Sequence, residues 1–370
     1  MGRLDRSDTT PSQKTVVKQR KVGKRADGLP DGKHSAPPMD TSKNRGVTTF
    51  YSDNLHLPKH PASLAHSPLT NSFHHPSIRI RITTLATQAR GGRPIPRHRS
   101  RRLANKGKPE DIIPNAKVMI LQEVNEPILT LAVSKAATLL GAADVGIIDS
   151  MQWEHDYHGR IFSDMADIIF LSTNTHMCAQ RFADRSSVPV LCLKSRTHAC
   201  LQALASIMAI MEEFGTMQGI NLSYVGPPHP VLNSYLLLCP MLGANIRFKC
   251  CCKICPVTPL FYDTSRAMTA STATETQQCA DTAEAVRNAC VVIAGPTTEK
   301  KEKLPEFTLS VMDINRQTCF RWIFLHTCPR GDEVDDLLFW NENSRTFTAF
   351  QNMHYIAAAL MANHCRDYRF

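Results

Sequence analysis

Residues 323–340 read IFLHTCPRGDEVDDLLFW. A short apolar run ends on His326-Thr327-Cys328-Pro329, and the chain then turns acidic through Asp332, Glu333, Asp335 and Asp336. A continuous apolar run bounded by turn residues is the pattern of a buried strand. Proline cannot donate to a sheet ladder, so the strand stops there. In open α/β sheets ligands sit beyond the carboxyl ends of parallel strands. His326, Thr327, Cys328, Pro329 and Arg330 are therefore candidate site residues if this strand belongs to such a sheet.

The flanking sequence supports that. Upstream, INLSYVG (220–226), NIRFKC (245–250), CVVIAG (290–295) and FTLSVM (307–312) read as strands. PVLNSYLLLCPMLG (230–243) and DTAEAVRNA (281–289) read as the helices between them. Further back, VMILQE (118–123), DVGIID (144–149), DIIFLS (167–172) and VPVLCL (188–193) read as four buried strands. The stretch EPILTLAVSKAATLLG (126–141) is predicted helical, with Ile128, Leu131, Lys135 and Leu139 at helical spacing, Pro127 at the start and Gly141 at the end. CAQRFADRSS (178–187) is a shorter helix. HACLQALASIMAIMEEFG (198–215) is a long one, apolar at Leu201, Leu204, Ala205, Met208 and Met211 and stopped by Gly215, and HYIAAALMANHCRDY (354–368) is helical again. Strands alternating with helices predict parallel sheets covered on both faces. The expected fold class is α/β: two doubly wound parallel-sheet domains joined by long helices.

Charge divides the chain differently. Residues 1–108 hold 22 Lys and Arg against 6 Asp and Glu, whereas residues 109–370 hold 21 against 27. The net charge of +10 thus belongs to the N-terminal stretch. A mildly acidic body argues against specific nucleic-acid binding by the folded part. The first 108 residues lack apolar periodicity and are expected to be a disordered basic tail. From Asn54 to Pro109 there is no Asp or Glu, and residues 77–108 are rich in Arg, Ser and Thr. That composition fits an organelle-targeting segment, and a solvated basic tail fits it too. Thirteen cysteines without a secreted framework imply a reducing compartment. No apolar window is long enough to span a bilayer, so a soluble protein without a membrane partner is expected.

The order of elements and several strings resemble the aspartate/ornithine carbamoyltransferase family, in its ornithine branch, from about Asn115 to Phe370. The family carries H-C-L-P-R followed by E-V-D-D-x-x-F. Here stand His326-Thr327-Cys328-Pro329-Arg330, then Glu333-Val334-Asp335-Asp336 and Phe339. SDMAD (163–167), LLGA (139–142), Gln202 and GINLSYVG (219–226) also match. The resemblance implies a carbamoyl-phosphate-type domain over 109–200, completed by a helix within 346–370, and an ornithine-type domain over 201–345. It implies transfer of a carbamoyl group from carbamoyl phosphate to ornithine, giving citrulline, with no cofactor. It also implies a homotrimer and a mitochondrial matrix location, with the cytoplasm as the alternative.

The same resemblance marks what is missing. The family's phosphate motif S-T-R-T-R corresponds to Glu126, Pro127, Ile128, Leu129 and Thr130. Two further family arginines correspond to Ser172 and Met353. H-P-x-Q survives as Gln202, with His198 one residue early and Ala199 in the matching place. The D-G-N-N turn is PPHP (227–230), and the D-x-x-x-S-M-G loop has Gly295, Glu299 and Lys300. The family's cysteine position is Thr327, with a thiol displaced to Cys328. Gln202 and His198 remain as substrate-side candidates, and Arg330 is expected to pair with the Asp332-Glu333 turn. The leading expectation is a non-catalytic member that plays a structural role or binds a protein partner or an amino acid. A working transferase with a rebuilt site is the second. The third is a metal or redox protein built on KCCCKIC (249–255), in which Cys252 and Cys255 could take two positions of a tetrahedral zinc. Thiols packed as small apolar groups are the alternative there.

Overall fold

A computed structural model describes residues 112–152, 157–250, 257–297 and 305–366. The expected N-terminal tail, Cys252, Cys255, Glu299 and Lys300 lie outside those residues.

The first four apolar runs form β1 (Lys117–Gln122), β2 (Asp144–Ile148), β3 (Ile168–Ser172) and β4 (Val190–Lys194). They make one parallel sheet in the order β2-β1-β3-β4. Helices α1 (Pro127–Leu139), α2 (His158–Ser163) and α3 (His176–Arg185) connect them. Central β3 is buried at every position, as a strand covered on both faces must be. β2 is not the buried strand expected. It lies at the sheet edge, and Ile147 is 47% exposed.

Helix α1 does not bury the residues whose spacing predicted it. Leu129, Ala132, Val133, Ala136 and Ala137 are buried, while Ile128 and Leu131 are 52% and 69% exposed. Apolar residues surround much of this helix, so periodicity does not single out one stripe. The alanine-rich face goes inward because small side chains let α1 lie close to its neighbours.

The long helix α4 (Cys200–Phe214) leads to the second sheet and stops at Gly215, whose φ of +79° is the left-handed geometry a helix terminus needs. Strands β5 (Asn221–Val225), β6 (Asn245–Lys249), β7 (Thr276–Gln278), β8 (Val291–Ala294) and β9 (Ile323–His326) follow. They pair in parallel in the order β7-β6-β5-β8-β9. Helices α5 (Pro230–Met241), α6 (Val257–Thr272) and α7 (Thr282–Val286) connect them. FTLSVM is not a strand. Leu309 makes an isolated bridge to Val334, and the chain then enters α8 (Val311–Gln317). The reason is a capping box: Ser310 accepts from the Asp313 N–H and Asp313 accepts from the Ser310 N–H.

After α9 (Asp336–Phe339), helix α10 (Thr346–Arg366) returns to the first sheet. Its Met353, Ile356, Ala357 and Met361 share a core with Val118, Ile120, Leu129 and Ala136. In both sheets the strand order reverses beside the first strand. Each crevice therefore opens at the carboxyl edge, where β1, β3, β5, β8 and β9 end.

Candidate functional site

His326 closes β9 and is buried. Its Nδ1 accepts the Cys328 N–H at 2.8 Å, so the hydrogen of the neutral ring sits on Nε2 and points at Glu333 Oε1, 2.7 Å away. Glu333 also accepts the Gly331 N–H at 2.9 Å. Burial alone would raise the Glu333 carboxyl, but the bonds from His326 and Gly331 outweigh it and hold the carboxyl below its usual range. Both ring nitrogens of His326 are thus committed inside the protein.

The neighbouring residues are similarly occupied. Thr327 donates through Oγ1 to the Ala294 carbonyl at 3.0 Å, and its own carbonyl accepts Gln202 Nε2 at 2.8 Å. That last bond ties α4 to the edge of the second sheet. Cys328 is half-buried, with burial and then Glu333 pushing its thiol up to about 11. The Cys328–Pro329 bond is cis. Arg330 pairs with Asp336 at 2.7 Å and lies over the Phe339 ring, 4.7 Å from its centroid. The partner is Asp336, not the expected Asp332-Glu333 turn, because Glu333 faces inward to His326.

At the carboxyl edge of the first sheet, three carboxylates stand together with one ammonium. Glu126 precedes α1, donates its N–H to Gln122 Oε1 at 2.8 Å, and pairs with Lys194 Nζ at 2.5 Å. Gln122 Nε2 in turn donates to Asp149 at 2.7 Å. Glu123 accepts the Asn174 N–H at 2.7 Å and its side-chain amide at 2.6 Å. A helix N-terminus favours negative charge, and at α1 Glu126 supplies it from within the chain. Pro127 brings no N–H, Ile128 faces outward, Leu129 is core, and Thr130 turns its hydroxyl back to the Glu126 carbonyl at 3.1 Å. Ser172 is buried at the end of β3, and Met353 is part of the apolar core.

Between the two edges lie two histidines kept neutral. His229 caps α5, its Nδ1 accepting the Val231 N–H at 3.2 Å. Burial, then the Lys194 ammonium, lowers it to about 3. Burial, then His176, does the same to His198, which stands edge-on to His176 at 5.3 Å and to Phe261 at 4.8 Å. His198 thus sits in a buried aromatic cluster. Gly295 follows β8, and a side chain there would overlap the hydroxyl of Tyr224. That hydroxyl donates to the Pro227 carbonyl at 2.8 Å, so the space is already filled.

Sequence reading missed Lys194, Glu123, Glu333 and Tyr224 as site-forming residues. Lys194 closes a parallel strand as His326 does, and the same strand-end argument would have found it. Tyr224 had no such signal, because which way it points along β5 depends on the neighbouring strand. Among the described residues no group of three or more His, Cys, Asp or Glu side chains could hold a metal ion.

Residues 218–363 match the family model for the aspartate/ornithine carbamoyltransferase Asp/Orn binding domain. The chain is 25% identical over 225 residues to the mitochondrial ornithine carbamoyltransferase of Aquarana catesbeiana, which covers 56% of this chain and 62% of the relative. It is 28% identical over 216 residues to the ornithine carbamoyltransferase of Thermosynechococcus vestitus, covering 55% and 68%. The chain thus spans about three-fifths of the length of the first of these curated relatives. Among solved structures, ornithine carbamoyltransferase from Thermus thermophilus shares the fold with a TM-score of 0.66 at 21% identity, over 80% of this chain and 97% of that one. The Pyrococcus furiosus enzyme gives 0.66 at 18%, over 79% and 93%. With two parallel sheets ordered about these crevices and His326 to Phe339 at their edge, the chain shares the fold of ornithine carbamoyltransferases, and its residues 218–363 match the Asp/Orn binding domain of the aspartate/ornithine carbamoyltransferase family.

Proposed function

We propose that this chain is a non-catalytic ornithine carbamoyltransferase homologue that keeps the scaffold and serves as a structural, partner-binding or amino-acid-binding protein. One observation carries the reading: the N-terminus of α1, where the family's arginines would hold the phosphate of carbamoyl phosphate, is closed by Glu126 paired to Lys194. A phosphate dianion entering there meets Glu123, Glu126 and Asp149, and the cation beside it is already neutralised. Losing a single preorganised donor costs about a hundred- to a thousandfold in rate, and here the guanidinium donors of the motif are absent together. On the amino-acid side, Tyr224 fills the space beside Gly295, and Gln202 and His326 are bound within the protein.

Lys194 also favours a second reading, a working transferase with a rebuilt clamp in which substrate displaces Glu126. Purified full-length protein given carbamoyl phosphate and ornithine, with citrulline measured and carbamoyl phosphate binding followed by calorimetry, separates the two. No citrulline and no heat of binding are expected. Turnover would establish the rebuilt clamp in place of the silent site.

The same reading divides the chain into a part spanning 109–200 with 346–370, a part spanning 201–345, and a basic N-terminal segment serving mitochondrial import. It also takes the protein to be a homotrimer, supported by the apolar Ile128 and Leu131 standing outward on α1. No helix among the described residues is long and apolar enough to cross a membrane.

A further inference from the structure

At the opposite, amino edge of the second sheet lie two thiols. Cys290 immediately precedes β8 and Cys319 precedes β9, and their Sγ atoms are 3.7 Å apart. The backbone holds them in place. Asn288 N–H donates to the Gln317 carbonyl at 2.7 Å, Cys319 N–H to Ala289 at 3.1 Å, and Ile323 N–H to Cys290 at 2.9 Å. Both side chains are half-exposed, so a small solute can reach them. A disulfide needs its sulfurs about 2.05 Å apart, and side-chain rotation can supply the remaining approach without parting the two segments.

We propose that Cys290 and Cys319 form a reversible dithiol–disulfide site whose co-reactant is a small aliphatic disulfide. The thiolate of one cysteine attacks the small disulfide, forming a mixed disulfide and releasing one thiolate. The second cysteine, deprotonated in turn, attacks the protein sulfur of that mixed disulfide. The Cys290–Cys319 bond forms, and the second small thiolate leaves. The two protein protons end on the two small thiols: the protein pair is oxidised and the small disulfide reduced by two electrons. Both steps are thiol–disulfide exchange, and the second is intramolecular between groups already in contact.

The chemistry around the pair fits slow, selective closure. Cys319 Sγ donates to the Asn288 carbonyl at 3.1 Å, and burial with the adjacent Cys290 sulfur raises its thiol. The rate should therefore rise as the solution becomes more alkaline. Four of the other described thiols are poor competitors. Cys200 and Cys239 are buried, and burial also raises Cys279 and Cys328 to about 11. The bond would close a ring running through β8, the connection after it and α8, pinning the outer strand β9 to its neighbour. The carboxyl edge lies at the other end of these strands and would be left unchanged.

The test treats the native full-length chain with glutathione disulfide, alkylates remaining thiols, and digests without reduction. Trypsin places Cys290 in residues 288–300 and Cys319 in residues 317–321. The expected product joins those two peptides, with a mass two hydrogens below their sum. A reductant should reverse it. The oxidised protein should melt about 5 °C higher, and Cys290→Ser should abolish that rise while leaving a glutathione adduct on Cys319. The proposal is overturned if both peptides carry glutathione and none are joined, if neither reacts, or if Cys290→Ser protein shows the same thermal shift.

Discussion

His326 is the residue whose environment says most about this site. A buried imidazole that donates to a buried carboxylate and accepts a backbone N–H has its ring fixed on both sides. Removing one partner from such a pair strands the other, which typically costs about 3 kcal/mol. Glu333→Ala should therefore lower urea-unfolding stability by about that amount, and Glu333→Gln, which keeps an acceptor for the ring, by about half. Equal losses would show that the carboxylate is not His326's partner in solution. Acid stability belongs at this scale as well. His198 and His229 sit near 3 when folded and near 6.5 when unfolded. Between those values the unfolded chain binds protons that the folded chain refuses, so their stabilisation is complete above about 6.5 and is lost as pH falls toward 3. Glu333 adds a further loss below its ordinary 4.5. Each buried histidine contributes a slope of about 1.4 kcal/mol per pH unit in that window. His198→Leu should flatten urea midpoints measured between pH 6 and pH 4 by one such slope, and an unchanged slope would mean that His198 protonates while folded.

Elements show how substitutions at the two edges are locked in by their neighbours. Gly295 follows β8 against the Tyr224 hydroxyl of β5. Gly295→Asp alone overpacks that contact and should cost about 2 kcal/mol, whereas in a Tyr224→Leu background most of the penalty should vanish. Strict additivity in thermal melts of the four proteins would refute the clash. At α8, Ser310→Ala removes the cap and should cost about 1 kcal/mol, read by denaturant titration. Both cases bear on what the sequence made legible. Strand existence was readable because runs such as DIIFLS are buried on both faces and carry four consecutive apolar residues. FTLSVM is equally apolar, and the S-x-x-D cap overrode its strand-like composition. The inward face of α1 was not legible because apolar residues surround much of the helix, so its buried side shows only in how closely its neighbours approach. His326 was legible as a strand end and Gln202 only through the family resemblance, but their partners Glu333 and the Thr327 carbonyl were not, since hydrogen bonds between elements depend on register and side-chain direction.

At the scale of the molecule, subunit association can be tested apart from chemistry. If α1 presents Ile128 and Leu131 to a neighbouring copy, light scattering of wild-type protein should give a trimer, and Leu131→Asp should give a monomer with unchanged far-ultraviolet circular dichroism. A wild-type monomer would remove the assembly from the reading. A different consequence follows from α10, which reaches back from the far end of the chain to fill the core beside β1 and α1. An earlier-made segment is sealed by one made much later. Until the final helix emerges, Val118, Ile120, Leu129 and Ala136 lack their cover. A stop codon placed just before Met353 would thus spare the strand ends of both crevices and still leave an open apolar furrow for chaperones and proteases to find.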